Sequence, residues 1–213
     1  MKTIELNIEK WKPGSILFIT GNSGAGKTTL SQKLSKEPDV VYLNLDIFFV
    51  AAKMTKEDFI IYLENYDIEK ETKLQMINYF KTLNEAYFNY YLPPKMDHSK
   101  FILLSSYAFD FVRFLYKFIQ NSTKKYILES TAIYMMSPSY FINKPIILLG
   151  TSYFISQWRG ITRAIKRKVS FKNFNNIFKN RILTMFNKNN SLYIQHKEYN
   201  EFRDKVIKLN KQE

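Results

Sequence analysis

The hydrophobic pattern begins with an alternation. Across Thr3 to Ile8, Ile4, Leu6 and Ile8 fall on one side, which predicts a short, half-buried edge strand. Trp11-Lys12-Pro13-Gly14 then turns the chain, with Trp11 read as a packing residue. From Ile16 to Thr20 every residue is apolar or β-branched, as suits a strand buried on both faces of a parallel sheet, and Gly21 breaks the run. Leu30 and Leu34 lie on one face of a following helix, which Glu37-Pro38 ends. Counting the buried run as strand one, Val40 to Leu45 reads as strand two, Tyr126 to Thr131 as strand three and Pro145 to Gly150 as strand four. Leu192-Tyr193-Ile194 is expected to form a fifth, and Glu198 to Leu209 a closing helix.

Between strands two and three the period changes, and residues 55 to 121 read as helical throughout. Thr55-Lys-Glu-Asp58 resembles a capping box with Asp in the place of Glu. Leu74, Ile77, Phe80, Leu83, Tyr87 and Tyr91 make one apolar stripe, stopped by Pro93-Pro94, and Leu104, Phe111, Leu115 and Phe118 make another. A segment of about 70 residues is long for a simple crossover, so residues 54–121 are expected to supply a helical lobe over the site, on the acceptor side. His98 and His196 have no partner visible in sequence and read as loop residues.

Composition limits the classes. A chain of 213 residues is one domain of good size, read here as a single domain with an inserted lobe. No membrane-length apolar run exists; the best candidate, Phe101 to Ile119, is interrupted by Asp110, Arg113 and Lys117. Met-Lys-Thr-Ile-Glu lacks the apolar core of a signal peptide, so a cytoplasmic location is expected. The absence of cysteine excludes disulfides, thiolate metal sites and cysteine nucleophiles. Net charge is +13, and residues 151–213 carry 14 Lys and Arg against 4 Asp and Glu. That basic third implies an anionic partner, which ATP with a phosphorylated or nucleotide acceptor satisfies and nucleic acid would also satisfy. A plainer source is a codon bias toward A and T, which enriches Lys, Asn, Ile, Phe and Tyr.

The chemistry concentrates in Gly21-Asn22-Ser23-Gly24-Ala25-Gly26-Lys27-Thr28-Thr29, a Gly-x4-Gly-Lys-Thr (Walker A) pattern between a strand and a helix. Gly21, Gly24 and Gly26 permit a tight loop whose N–H groups, with the helix N-terminus, make an anion cradle. Lys27 brings a mobile positive charge for β and γ phosphates, and the Thr28 hydroxyl suits Mg²⁺. Asp46, at the end of strand two, is placed to accept a proton from an attacking hydroxyl or to hold a metal's water shell, unless it only caps the next helix. Glu129, at the tip of strand three, suits Mg²⁺ or a substrate hydroxyl, with Ser130 and Thr131 as further hydroxyl contacts; its plainer role is to cap a loop or pair with a base. After strand four, Arg159, Arg163 and Arg167 are spaced by four on one helix face and suit phosphate oxygens, with Arg181 a further candidate. A solvated cationic face or a nucleic-acid patch is the alternative there.

Taken together, the glycine loop, Asp46, the Leu-Glu-Ser of strand three and the arginine helix resemble the P-loop kinases of small molecules. That group includes nucleoside kinases such as uridine kinase, nucleotide and adenylylsulfate kinases, chloramphenicol phosphotransferase and zeta-type toxins. The resemblance covers most of the chain, with the phosphate loop its most specific part. It implies a three-layer α/β/α P-loop NTPase fold with a five-stranded parallel sheet in the order 2-3-1-4-5. It also implies a helical insertion between strands two and three and an arginine-bearing lid within residues 151–190, with ATP and Mg²⁺ as cofactors. On this pattern Lys27, Asp46, Arg159 and Arg163 are catalytic, Asp46 serving as base. The loop residues Gly21 to Thr29 with Arg159, Arg163 and Arg167 bind the nucleotide, Asp46 and Glu129 meet the acceptor, and Thr28 and Glu129 meet the metal.

Two departures stand out. No run of four apolar residues ends in Asp, so Glu129 or Asp46 takes the part of an ordinary Walker B acid. Met54 to Asn121 matches no known acceptor module. Three readings follow: a kinase of a small-molecule hydroxyl or phosphate, a kinase of a nucleic-acid end or modified base, and a P-loop ATPase driving a partner. The lack of a Leu-Ser-Gly-Gly signature counts against the transporter form of the third.

Overall fold

Five strands form one mixed sheet in the order β1-β5-β2-β4-β3: β1 (Lys2–Leu6), β2 (Ile16–Gly21), β3 (Val40–Asn44), β4 (Lys125–Glu129) and β5 (Ile146–Gly150). The computed structural model describes residues 2–46, 55–64, 105–166 and 191–212, with isolated positions between them. Among the described residues the helices are α1 (Lys27–Leu34), α2 (Lys56–Glu64), α3 (Ser105–Ile119), α4 (Tyr153–Lys166) and α5 (Ser191–Asn210).

The sheet divides by burial. β2, β3 and β5 are buried at every position and β4 at all but its first, as expected of parallel strands covered on both faces. Accordingly β2 runs parallel to β4 and β5, and β4 parallel to β3. β1 is half-exposed and pairs antiparallel with β5, Ile4 opposite Leu148. Its Ile4 and Leu6, with Ile8 just beyond, pack against the core as the alternation predicts.

Helical spacing accounts for the covering layers. α3 buries Phe111, Leu115 and Ile119, four apart, with Val112 beside them, and α5 buries Tyr199, Phe202 and Val206, three or four apart. Each such side chain contributes about 1.5–3 kcal/mol. Phe18 of β2 meets Phe141 edge-to-face at 5.2 Å, and Phe141 meets Phe202 of α5 at 5.6 Å, so a row of rings ties the central strand to the last helix. Trp11 packs on the core and donates its indole N–H to the Tyr126 carbonyl at 3.1 Å. Thr55 accepts the Asp58 N–H at 3.1 Å, starting α2 as its capping pattern predicts.

Three expectations are corrected. The sheet is mixed, not fully parallel in the order 2-3-1-4-5: the four parallel strands stand as β5-β2-β4-β3, and antiparallel β1 fills the edge beside β5. Residues 192–194 are not a strand but the first turn of α5. Three apolar residues in a row suit either state, and the 3.6-residue period running on through Tyr199, Phe202 and Val206 extends the helix back over them. His196 is therefore helical, not in a loop, with its ring 5.6 Å from that of Tyr153. Burial, then the nearby Arg203 charge, lowers its pKa. His98 and most of the Leu74–Tyr91 stripe lie outside the described residues. No helix among the described residues is long and apolar enough to cross a membrane.

Candidate functional site

Parallel strands bring their carboxyl ends to one edge of the sheet, and Gly21 and Glu129 stand there, with Asp46 two residues past β3. At Gly21 a Cβ would come within 2.6 Å of the Leu149 carbonyl oxygen of β5, so only glycine lets the two strands close here. The loop that follows needs positive φ at Gly24 (79°) and Gly26 (86°), and is closed by the Ala25 N–H donating to the Asn22 carbonyl at 3.0 Å. Gly26 leads directly into α1. The first-turn N–H groups of α1 have no acceptor within their own helix and form the positive end of its dipole. Among the described residues the N–H groups of Gly24, Gly26 and Thr28 make no hydrogen bond. The buried side-chain amide nitrogen of Asn22 is likewise without a partner there.

Lys27 is only 7% exposed, and its ammonium folds back to donate to the Gly21 carbonyl at 2.9 Å and the Asn22 carbonyl at 3.3 Å. Beside it, the Thr28 hydroxyl donates to Glu129 Oε2 at 3.3 Å and reaches Oε1 at 3.5 Å. Glu129 is 2% exposed, and on a strand of that depth a carboxylate must be bonded on several sides. β3 provides the bonds. Its residues Tyr42 and Asn44 are two apart and so share a face, and the register sets Asn44 opposite Glu129. The Tyr42 hydroxyl donates to Oε2, as does Asn44 Nδ2 at 3.0 Å. Burial pushes the Glu129 carboxyl above its ordinary value, with the Lys27 charge and the Tyr42 bond pulling it back. Burial, then the Glu129 charge, raises the Tyr42 phenol well above its own, which keeps it a proton donor.

Asp46 is exposed, one short step from this cluster, and its Oδ1 accepts from the Ser130 hydroxyl at 2.5 Å; Ser130 Oγ in turn accepts the Ala132 N–H at 2.8 Å. From α4, the Ser156 hydroxyl donates to the Ser23 carbonyl, and Arg159 Nη1 donates to the Gly24 carbonyl at 2.7 Å. Arg159 therefore rests against the loop backbone at Gly24. Arg163 belongs to α4, but its side chain lies outside the described residues, as do Arg167 and Arg181 altogether.

Sequence reading anticipates Lys27, Thr28, Glu129 and Asp46, which the fold does bring together, and misses Tyr42, Asn44 and Ser156. The first two carried a faint signal: a pair of polar-tipped residues two apart in Val-Val-Tyr-Leu-Asn-Leu, on the strand that leads to Asp46.

Among the described residues no three His, Asp or Glu side chains gather as a metal cluster. Mg²⁺ does not need one, since it takes one or two carboxylates plus phosphate oxygens and waters. The Thr28 hydroxyl and Glu129 Oε1, whose only hydrogen bond among the described residues is the 3.5 Å contact from Thr28, fit that pattern. Comparison with protein-family models, with curated proteins and with solved structures finds no match to this chain.

Proposed function

We propose that this chain is an ATP-dependent phosphotransferase that moves the γ-phosphoryl group to a hydroxyl or phosphate of a small-molecule acceptor, with nucleosides, nucleotides and sugars as the leading candidates. One observation carries the reading. A glycine loop with unspent amides lies at the tips of parallel strands, Lys27 folds onto its carbonyls, and Thr28 bonds the buried Glu129, whose carboxyl feels the Lys27 charge. The parallel strand order β5-β2-β4-β3 supports a P-loop NTPase fold. In this reading it is one domain, with residues 54–121 on the acceptor side and the lid within 151–190.

In this mechanism the amides of Gly24, Gly26 and Thr28 and the Asn22 side chain take phosphate oxygens. Lys27 exchanges the Gly21 and Asn22 carbonyls for the β and γ phosphates. Thr28 and Glu129 would hold Mg²⁺, which when bound neutralises charge on the phosphate oxygens. Asp46, fixed by Ser130, orients the acceptor hydroxyl and receives its proton as the acceptor oxygen bonds to the γ phosphorus and the bond to the β-bridging oxygen breaks, releasing ADP. Arg159 and Arg163 complete the charge stabilisation, with Arg167 a further nucleotide contact.

The decisive assay offers γ-labelled ATP with pooled nucleosides, nucleotides, sugars and DNA. Label in an acceptor is expected. Label appearing only as free phosphate in every pool contradicts transfer and favours a P-loop ATPase. The basic third at residues 151–213 favours a second reading, a kinase of DNA or RNA ends or of a modified base. That reading requires label in the nucleic acid and binding that falls steeply with salt.

A further inference from the structure

The two oxygens of the Glu129 carboxylate are not equivalent. Among the described residues Oε2 accepts from the Tyr42 hydroxyl, from Asn44 Nδ2 at 3.0 Å and from Thr28 at 3.3 Å, whereas Oε1 receives only the long Thr28 contact at 3.5 Å. A carboxylate oxygen has about two lone-pair directions, so Oε2 is filled. The arrangement is fixed by deep features of the fold: Tyr42 is fully buried, Asn44 stands opposite Glu129 in the β3–β4 register, and the Asn44 amide also bonds the Tyr42 hydroxyl at 3.2 Å. Among the described residues this leaves a single oxygen to meet a cation.

Divalent cations differ in how they use such a group. Ca²⁺ gathers about six to eight oxygens at about 2.3–2.6 Å and often takes both oxygens of a carboxylate, while Mg²⁺ holds a tight octahedron at about 2.0–2.1 Å and keeps its waters. Resting on the phosphotransferase reading, we propose that Tyr42 and Asn44 are positioning residues that confine Glu129 to one-oxygen coordination and thereby set the site's preference for Mg²⁺ over Ca²⁺. Occupying Oε2 with Ca²⁺ would displace the Tyr42 and Asn44 donors from the oxygen they share; Mg²⁺ on Oε1 leaves both in place.

The test reads binding, not turnover. A fluorescent ATP analogue is titrated into wild type, Tyr42→Phe, Tyr42→Phe/Asn44→Ala and Glu129→Gln, each in chelator, in Mg²⁺ and in Ca²⁺. Wild type is expected to gain more affinity from Mg²⁺ than from Ca²⁺. In the double variant that advantage shrinks by about tenfold, the usual scale for groups that orient a metal ligand, with affinity in chelator unchanged. Tyr42→Phe keeps the ring in the core and should lose about a third to a half of the advantage on a logarithmic scale, which carries the test if the double variant fails to fold. A ratio that stays at the wild-type value while melting temperatures fall would show that the pair merely satisfies a buried carboxylate, and overturns the proposal. Equal metal gains in wild type and Glu129→Gln overturn it differently, by removing Glu129 from the metal. Nucleotide binding absent from wild type in every buffer defeats the phosphotransferase reading, and this inference with it.

Discussion

The strand-tip cluster and the rim around it hold their charges in opposite ways. Lys27 and Glu129 are buried, bonded to loop carbonyls and to β3 donors, and their positions follow from the sheet itself. Asp46 and Arg159 are exposed and rest on the site's periphery, the one on the Ser130 hydroxyl and the other on the Gly24 carbonyl. Burying a charge is costly unless it is paired and bonded, so the fold invests in the groups whose geometry must not vary. Asp46 and Arg159 stay in water, where they can adjust. On the proposed phosphotransferase reading, phosphate capture is preorganised and transfer is completed at the rim.

Substitutions can break that contrast, starting at the buried end. Lys27→Ala should abolish phosphoryl transfer and weaken nucleotide binding at least tenfold, because charged hydrogen bonds are worth about 1.5–3 kcal/mol each. Retained label transfer would show that the buried cation is not part of the machinery. Asp46→Asn should cut turnover at least about tenfold with nucleotide affinity nearly intact, the split expected of a base that works at the rim. Wild-type turnover in that variant would move Asp46 out of the proton's path. Arg159→Ala is expected to change nucleotide affinity only about threefold, and less at high salt, as for other exposed charges. A loss as large as that from Lys27→Ala would mean that α4 belongs with the buried cluster.

The smallest effect is on stability and depends on pH. The folded-state pKa of Glu129 is raised, so the native chain binds that proton more tightly than the unfolded chain. The stabilising contribution is whole below the ordinary carboxylate value of 4.5 and is lost as pH rises through the elevated folded value. Glu129→Gln, which does not titrate, should therefore gain on wild type as pH climbs through that window. Urea midpoints taken at acid and neutral pH check this; a gap that stays constant with pH denies the buried charge its cost.

Local signals made much of this legible in advance. The unbroken run Ile16 to Thr20 and the glycines before Lys27 each declare themselves within a few residues, and both stand where expected. What the sequence hid depends on distance or on competition between periods. The β1 alternation announced a strand, but its antiparallel seat beside β5, Lys2 opposite Gly150, is set by pairing across nearly the whole chain. Residues 192–194 looked extended because their helical partners lie downstream at Tyr199 and Phe202. Tyr42 and Asn44 escaped notice because their acceptor is 87 and 85 residues away. Likewise Ser156 reaches the loop across 133 residues.

The most direct test follows backbone amide resonances of the labelled chain as Mg²⁺ and ATP are added. Shifts concentrated between Gly21 and Thr28, strongest at Gly24, Gly26 and Thr28 and abolished by Lys27→Ala, are the expected result. Resonances of that span left unmoved at saturating nucleotide would contradict a phosphate cradle, and the transfer chemistry built on it.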